Sequence, residues 1–319
     1  MLEGTSLEAV IAAAVRAPSV HNTQPWRFRV RGPTIELFAD RSRRLDVADP
    51  TGREMVISCG AALFGLRLAV RAAGFRPVPE ILPRWPRLDP LAMVHLGVPV
   101  AVGPGERRLL SAVWRRHTHR GPFAAEPLPA GLLAALRRDA EAESVALRVV
   151  GDRGGAGQVY RMAAEAERWQ AEDPALAAEL RRWTHRDAAR DGVPARAYAA
   201  LSTDGGPDRL AQRDFDQGRG WGRLVAAGRP AATVVLATVG DEPVDWLRAG
   251  QALHRVLLRA AGSWVFASLH TQPVEVPSVR RALRRGLRMA GEPQIVMQLG
   301  RAHIAALTWR RPVEEVVDP

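Results

Sequence analysis

Ala17-Pro18-Ser19-Val20-His21-Asn22-Thr23-Gln24-Pro25-Trp26-Arg27-Phe28 is the stretch on which the reading of this chain turns. Upstream, Leu7, Val10, Ile11, Ala14 and Val15 recur at helical spacing, so an amphipathic helix runs toward Pro18. Proline cannot continue that helix and disfavours a helical Ala17, so the helix stops there. Ser19, Asn22 and Gln24 then bring hydroxyl and amide groups into an irregular turn, where they can donate to and accept from the edge of a planar heterocycle. The same residues also fit a plain helix stop followed by a strand anchored on Trp26 and running to Val30.

The surroundings of this block narrow the choice. At 319 residues the chain is long enough for one large domain or two of about 150, and 47% apolar content is that of an ordinary globular protein. No uninterrupted apolar run approaches the roughly 18 residues of a membrane span, and the N-terminus lacks a basic start with an apolar segment behind it, so no membrane association and a cytoplasmic location are expected. The single cysteine, Cys59, lies in an apolar helical stretch and is expected to be a small core residue, which excludes an intramolecular disulfide or a multi-cysteine metal site. A net charge of +11 invites a nucleic-acid reading. All 45 basic residues are arginine, however, and they are scattered, with dense runs only at Arg41 to Arg44 and Arg280 to Arg288 that suit solvated faces. With no recognition-helix, ribonucleoprotein or zinc-finger pattern, no nucleic-acid partner is expected.

A weak internal repeat organises the chain. Gly60-Ala61-Ala62-Leu63 opens a helix reaching Gly74, and Gly250-Gln251-Ala252-Leu253 opens another reaching Gly262. Both helices are apolar on nearly every face, which belongs in a core. Strand-like runs flank them, at 34–38 and 93–100 in the first half and at 233–238 and 294–299 in the second. Two similar α+β halves packed together follow from this pattern.

The APSxxNxQPWxF block resembles the flavin-binding signature of the FMN-dependent nitroreductase family. Arg115-Arg116-His117-Thr118-His119-Arg120-Gly121-Pro122-Phe123 resembles the RRSxRxF motif that begins an ordinary subunit of that family, yet it stands mid-chain, and Arg310-Arg311-Pro312 matches the family's C-terminal arginine before proline. The layout, with DGVP at 191–194, WLRAGQAL at 246–253 and QPVEVP at 272–277, is similar to the Acg subfamily over nearly the whole chain. The resemblance implies a nitroreductase-like α+β fold in which two degenerate halves, 1–108 and 109–319, are fused into a monomeric pseudo-dimer, with a lid-like insertion at about 180–225. It implies one FMN per chain, with Pro18, Ser19, Asn22 and Gln24 from the first half and Arg116, His117, Thr118 and Arg120 from the second. Ser268 and Leu269 would lie near the N5 side of the ring, and Arg310 and Arg311 at the phosphate.

The chemistry of that set is coherent, because a phosphate is best held by planar guanidinium groups. Arg116 and Arg310 are the first choices, with Arg311 ranked after them because neighbouring side chains in an extended segment point to opposite faces. By the resemblance His117 and Thr118 lie along the ribityl chain and Arg120 approaches the N1/O2 edge, where positive charge favours the reduced ring. The expected activity is FMN-dependent NAD(P)H oxidoreduction toward a small aromatic or quinone-like acceptor behind a lid. The alternatives are a protein that binds FMN without turning over, or one that has lost it. Since the flavin carries the chemistry, no side chain is assigned as nucleophile or base, and no metal is assigned, His117 and His119 lacking the spacing of a zinc pair. Trp264 stands 14 residues after Gly250, where Gly74 follows Gly60 (74 − 60 = 264 − 250 = 14). A tryptophan takes a left-handed conformation with difficulty, so the helix is expected to end at Gly262 and to throw Trp264 and Phe266 elsewhere, the flavin pocket included. Glu165 and Glu167 with Arg161 and Arg168 read as a solvated helix face.

Overall fold

The computed structural model describes residues 4–151, 153–201, 210, 213–221, 223–225, 232–302 and 308–318. The first half runs through α1 (Gly4–Ala14), β1 (Trp26–Arg31), β2 (Thr34–Ala39), α2 (Arg53–Ala72), β3 (Phe75–Ile81) and β4 (Ala92–Pro99). A short helix α3 (Pro104–Leu110) leads on to α4 (Leu132–Glu141) and β5 (Ala146–Val150). Helices α5 (Arg153–Ala171) and α6 (Pro174–Arg182) follow. Two short parallel pairs come next, β6 (Thr184–His185) with β7 (Val193–Pro194) and β8 (Ala199–Leu201) with β9 (Arg223–Val225). The second half resumes with β10 (Ala232–Thr238), α7 (Pro243–Gly262), β11 (Val265–Leu269), α8 (Gln272–Glu275), α9 (Pro277–Gly286), β12 (Glu292–Arg301) and β13 (Val317–Asp318).

Both halves have one connectivity. The first sheet is ordered β1-β2-β4-β3 and the second β5-β10-β12-β11, every neighbouring pair antiparallel. Gly32, in the left-handed region at φ 56°, and Pro33 close the β1–β2 hairpin, with Arg31 opposite Thr34. At the equivalent place between β5 and β10 the second half carries residues 151–231. The fold is α+β with two like halves, as the repeat predicts.

The repeated glycines explain how the halves meet. α2 and α7 cross at Gly60 and Gly250: a methyl group on Gly60 would overlap the carbonyl oxygen of Leu247, and one on Gly250 that of Ile57. Only hydrogen at Cα allows backbones this close. Each helix also lends a side chain to the other's core, Leu247 to the cluster of Trp26, Phe28, Leu63 and Leu66, and Ile57 to that of Leu136, Leu236, Val256 and Met297. Leu63 and Leu66 are wholly buried, each contributing about 1.5–3 kcal/mol. α2 is long and apolar enough to cross a membrane, with a mean hydropathy of 1.6, but 83% of that window is buried in the protein interior, so the sequence expectation of no such run is corrected to a span-like helix used as core. Residues 108 and 109, the expected junction, lie inside α3, whose Leu109 packs with Phe64 and Leu68 of α2 and Leu258 of α7.

The end of the chain returns to the first half. β13 adds parallel to β1, pairing Phe28 with Val317, and the Phe28 N–H donates to Val316 O at 2.7 Å. This lays residues 308–312 beside the 17–24 block.

α7 ends at Gly262 as expected, but Trp264 does adopt the left-handed conformation, at φ 57°, matching Gly74 at φ 87°. The connection into β11 has the same register as that of α2 into β3, and the indole is left out in solvent under the Arg115 guanidinium, 4.5 Å from the ring centroid. That stacking offsets part of a strain of about 1–2 kcal/mol. Trp264 is therefore turned to solvent, and Phe266 is buried in β11.

Candidate functional site

The 17–24 block is a strained loop held in place by its own polar side chains. His21, Asn22 and Gln24 have φ of 45°, 57° and 51°, each costing of order 1 kcal/mol or more for a residue with a side chain. Ser19 Oγ accepts from the Gln24 N–H at 3.0 Å, and the Val20 N–H donates to Ser58 Oγ at 3.3 Å. Asn22 Nδ2 donates to the carbonyls of Gly192 (3.0 Å) and Trp309 (3.2 Å). Gln24 Nε2 donates to Arg190 O at 2.8 Å, while its Oε1 accepts from the Arg311 N–H at 2.8 Å. Asn22 and Gln24, expected to face the ring, are thus struts between the block, the 190–194 segment and the C-terminal segment. Arg43 strengthens the joint, donating from Nε to Thr23 O and pairing with Asp191.

On the second-half side, Thr118 bridges Ala267 in parallel and the His119 N–H donates to Ala267 O at 2.8 Å, so the 116–120 segment lies along β11. Strand and segment together with the block line a solvent-open cavity of about 50 Å³. Ser19, Val20 and His21 line it from the first half, and Thr118, Arg120, Ser268, Leu269, Thr271 and Gln272 from the second, with Arg213 and Phe215 from the insertion. Predicted residues from opposite ends of the sequence therefore meet in one place. Pro18 is buried at the block's start rather than lining the cavity.

Beside the cavity stands a group of arginines. Arg116 Nη2 donates to Arg16 O at 2.9 Å, while its Nε and Nη1 are buried with no partner among the described residues. Arg310 Nη2 donates to Ala17 O at 3.2 Å and Nη1 to Thr308 Oγ1 at 2.9 Å, leaving Nε buried and unpartnered, as is Arg120 Nη1. Burial lowers all of them, Arg116 to about 9 and Arg120 to about 10, with Arg310 and Arg16 also lowered. Mutual repulsion adds to this for Arg116 and Arg310, and no carboxylate is among the groups acting on any of the four. Burial, then the charges of Arg116 and Arg310, hold the His117 imidazole neutral down to about 3; its Nδ1 donates to Arg116 O at 2.6 Å. Arg311 is different: its Nη2 donates to Glu315 O and its guanidinium lies near Glu315 and Asp40, away from the arginine group.

A second charged cluster lies behind the cavity and is compensated. Arg213 Nη2 meets Glu275 Oε2 at 2.6 Å with both side chains buried, and Gln170 Nε2 donates to the same oxygen at 2.7 Å. Arg53 pairs with Glu54 and donates to Gln294 Oε1 at 2.9 Å. Burial raises Glu54 to about 8 and Asp49 to about 6. Glu167, read from sequence as part of a solvated face, instead accepts from Gln272 Nε2 at 2.8 Å, because α5 turns that position toward α8.

No protein-family model matches the chain. The chain is 32% identical to Rv3131 of Mycobacterium tuberculosis, a NAD(P)H nitroreductase by name, over 99% of its own length and 92% of that protein's. The chain belongs to the nitroreductase family. Within it, acg of the same organism, also a NAD(P)H nitroreductase by name, is 31% identical over 97% of the chain and 94% of the relative. The chain is similar in shape to a nitroreductase structure from Anabaena variabilis (TM-score 0.43, 11% identity, 94% and 88% of the two chains) and to one with bound FMN from Desulfitobacterium hafniense (TM-score 0.42, 12% identity, 66% and 97%). The family assignment rests on the sequence relatives.

Against this family, sequence reasoning missed His21, Arg16, Arg213 and Phe215. His21 and Arg16 were within or next to the quoted block, so a residue-by-residue reading of its variable positions could have found them. Arg213 and Phe215 carry no local signal. Of the insertion's expected features, Asp204-Gly205-Gly206-Pro207 lie outside the described residues, and Trp183 and Trp221 stack on Arg43 and Arg219 rather than in the cavity.

Proposed function

We propose that the chain is an FMN-dependent NAD(P)H oxidoreductase of nitroreductase type. The observation that carries this is the group Arg116, Arg120 and Arg310, each with a buried guanidinium nitrogen that has no partner among the described residues, with half-buried Arg16 beside them and no carboxylate acting on any of the four. Burying a cation without a partner is costly unless an anion arrives to balance it. A phosphate ester fits that donor set, and the adjoining cavity, lined from both halves by donors, acceptors and apolar side chains, lies where the ring attached to it would extend.

When bound, FMN supplies two-electron transfer between NAD(P)H and an acceptor. Arg116 and Arg310 would hold the phosphate with charge-assisted hydrogen bonds, and neutral His117 and Thr118 would flank the chain between phosphate and ring. Ser19, Ser268 and Leu269 would wall the ring cavity, and Arg120 would place positive charge at its edge. Leu269 keeps water from one side, and Phe215 from another.

That Phe215 and Arg213 line the cavity favours, as a second reading, FMN held without turnover. Phe215 meets His21 edge-on at 5.6 Å between centroids, under the Arg120 guanidinium at 5.5 Å. A lid over the ring would keep NAD(P)H and a quinone-like or nitroaromatic acceptor from stacking. The two readings share a cytoplasmic pseudo-dimeric monomer and part on one experiment. The protein is mixed with FMN, freed of excess by gel filtration, and exposed to NADPH without oxygen. A flavin absorbance band that co-elutes and bleaches supports the oxidoreductase; one that co-elutes and persists supports retention without turnover; elution with no band overturns both.

A further inference from the structure

The polar residues of the strained loop divide their roles in a way that singles out one of them. Asn22 commits its amide to the Gly192 and Trp309 carbonyls and Gln24 commits both ends of its own, and neither lines the cavity. His21 lines it, 7% exposed, with Nδ1 buried and without a hydrogen-bond partner among the described residues. The charged groups in the cavity wall, Arg120 and Arg213, can only donate, and the hydroxyls and the Gln272 amide that share the wall can act either way, whereas His21 brings a buried ring nitrogen that nothing else uses. A ring bearing an imide N–H between two carbonyl oxygens presents one donor among acceptors. The guanidinium groups suit the carbonyls, and the unpartnered His21 nitrogen suits the N–H.

Resting on the FMN reading above, we propose that His21 accepts a hydrogen bond from the ring N–H of the bound heterocycle, with Arg120 donating to a carbonyl oxygen beside it. Burial, and then the charge of Arg213, hold the imidazole neutral down to about 3. A neutral imidazole has one N–H and one lone pair, so an acceptor nitrogen persists throughout the physiological range whichever nitrogen carries the proton. The left-handed backbone at His21 and Asn22 sends successive side chains to different places, one into the cavity and one to the struts.

The test compares FMN with its N3-methyl derivative, which lacks that N–H, by flavin fluorescence titration of the full chain and of His21→Phe and His21→Asn. Wild type should bind FMN about tenfold more tightly than the methylated analogue. His21→Phe, similar in size and with no acceptor, should lose about that factor for FMN and bind the two alike. His21→Asn, which tolerates the left-handed backbone and keeps an acceptor, should retain a preference. Wild type that binds FMN without preferring it, or a His21→Phe variant that keeps the full preference, overturns the role of His21 and leaves the cofactor reading standing. Wild type that binds neither flavin overturns the cofactor reading and this inference with it. If His21→Phe does not fold, the wild-type ratio decides, supported by a shift of the His21 ring resonances on adding FMN and none on adding the analogue.

Discussion

Two buried clusters of arginine stand out among the described residues, and only one of them has acids. Arg213 is held by the Glu275 carboxylate, and Arg53 by Glu54, which keeps its proton, together with the Gln294 amide and the Val274 carbonyl, with Asp49 close by. Arg116, Arg120 and Arg310, with half-buried Arg16 stacked on Trp114 beside them, have carbonyls, a hydroxyl, aromatic faces and each other. The first arrangement is what folding alone requires, since a buried ion without a counter-ion costs several kcal/mol. The second is poorly balanced by the protein and becomes balanced only by an anion from outside. The contrast separates arginines that hold the fold from arginines that await a ligand, although both kinds are buried.

Breaking the compensated cluster should give the largest effect. Arg213→Met leaves Glu275 buried without its cation and should lower the unfolding free energy by about 3–5 kcal/mol, read in urea unfolding without flavin. Next, Arg116→Met should weaken FMN binding about 100-fold, the loss of roughly two charge-assisted hydrogen bonds, while the flavin-free protein melts no lower than wild type. A fall in stability as large as that of Arg213→Met would erase the distinction between the clusters.

A smaller effect follows from pH. The folded-state pKa of Glu54 is raised from 4.5 to about 8, so the folded state holds a proton that the unfolded chain releases. Its contribution is fully present below about 4.5 and is lost as pH rises toward 8. Glu54→Gln, uncharged at every pH, should therefore be more stable than wild type at pH 8 by about 2 kcal/mol, the gap closing toward pH 4.5; a gap independent of pH would contradict the assignment. The smallest change is expected at Arg311, which is compensated by Glu315 and Asp40. Arg311→Met should alter FMN affinity less than twofold, against a large loss for Arg310→Met, and equal losses would place Arg311 in the anion site after all.

Much of the candidate site's outline was legible from the residues. The run from Pro18 to Trp26, the arginines at 116, 120 and 310 and the serine at 268 were all picked out, and they converge because α2 and α7 cross at their repeated glycines. Arg116, Arg310 and Arg311 look alike in sequence, though, and only their neighbours distinguish them. The same holds in the block, where Asn22 and Gln24 are chemically suited to a heterocycle but are used as struts. Their chain partners, Gly192, Trp309 and Arg190, are far away along the sequence, so no local pattern could disclose that use. Trp264 shows the reverse: its unfavourable backbone is dictated by the register of α7 into β11, which overrides a local preference of about 1–2 kcal/mol.

The sequence by itself determined what depends on local periodicity and residue chemistry: two apolar helices with a glycine at each crossing point, strands on either side of them, and a set of guanidinium groups fit for phosphate. Tertiary structure decided which of those groups go unpaired, which side chain of the strained loop enters the cavity, and that Arg213 and Phe215 of the insertion complete its wall. Those outcomes depend largely on contacts between residues far apart in the chain, 62 positions for Arg213 with Glu275, 100 for Arg116 with Arg16 and 293 for Arg310 with Ala17, and a side chain's availability is fixed by what its distant neighbours have already bonded.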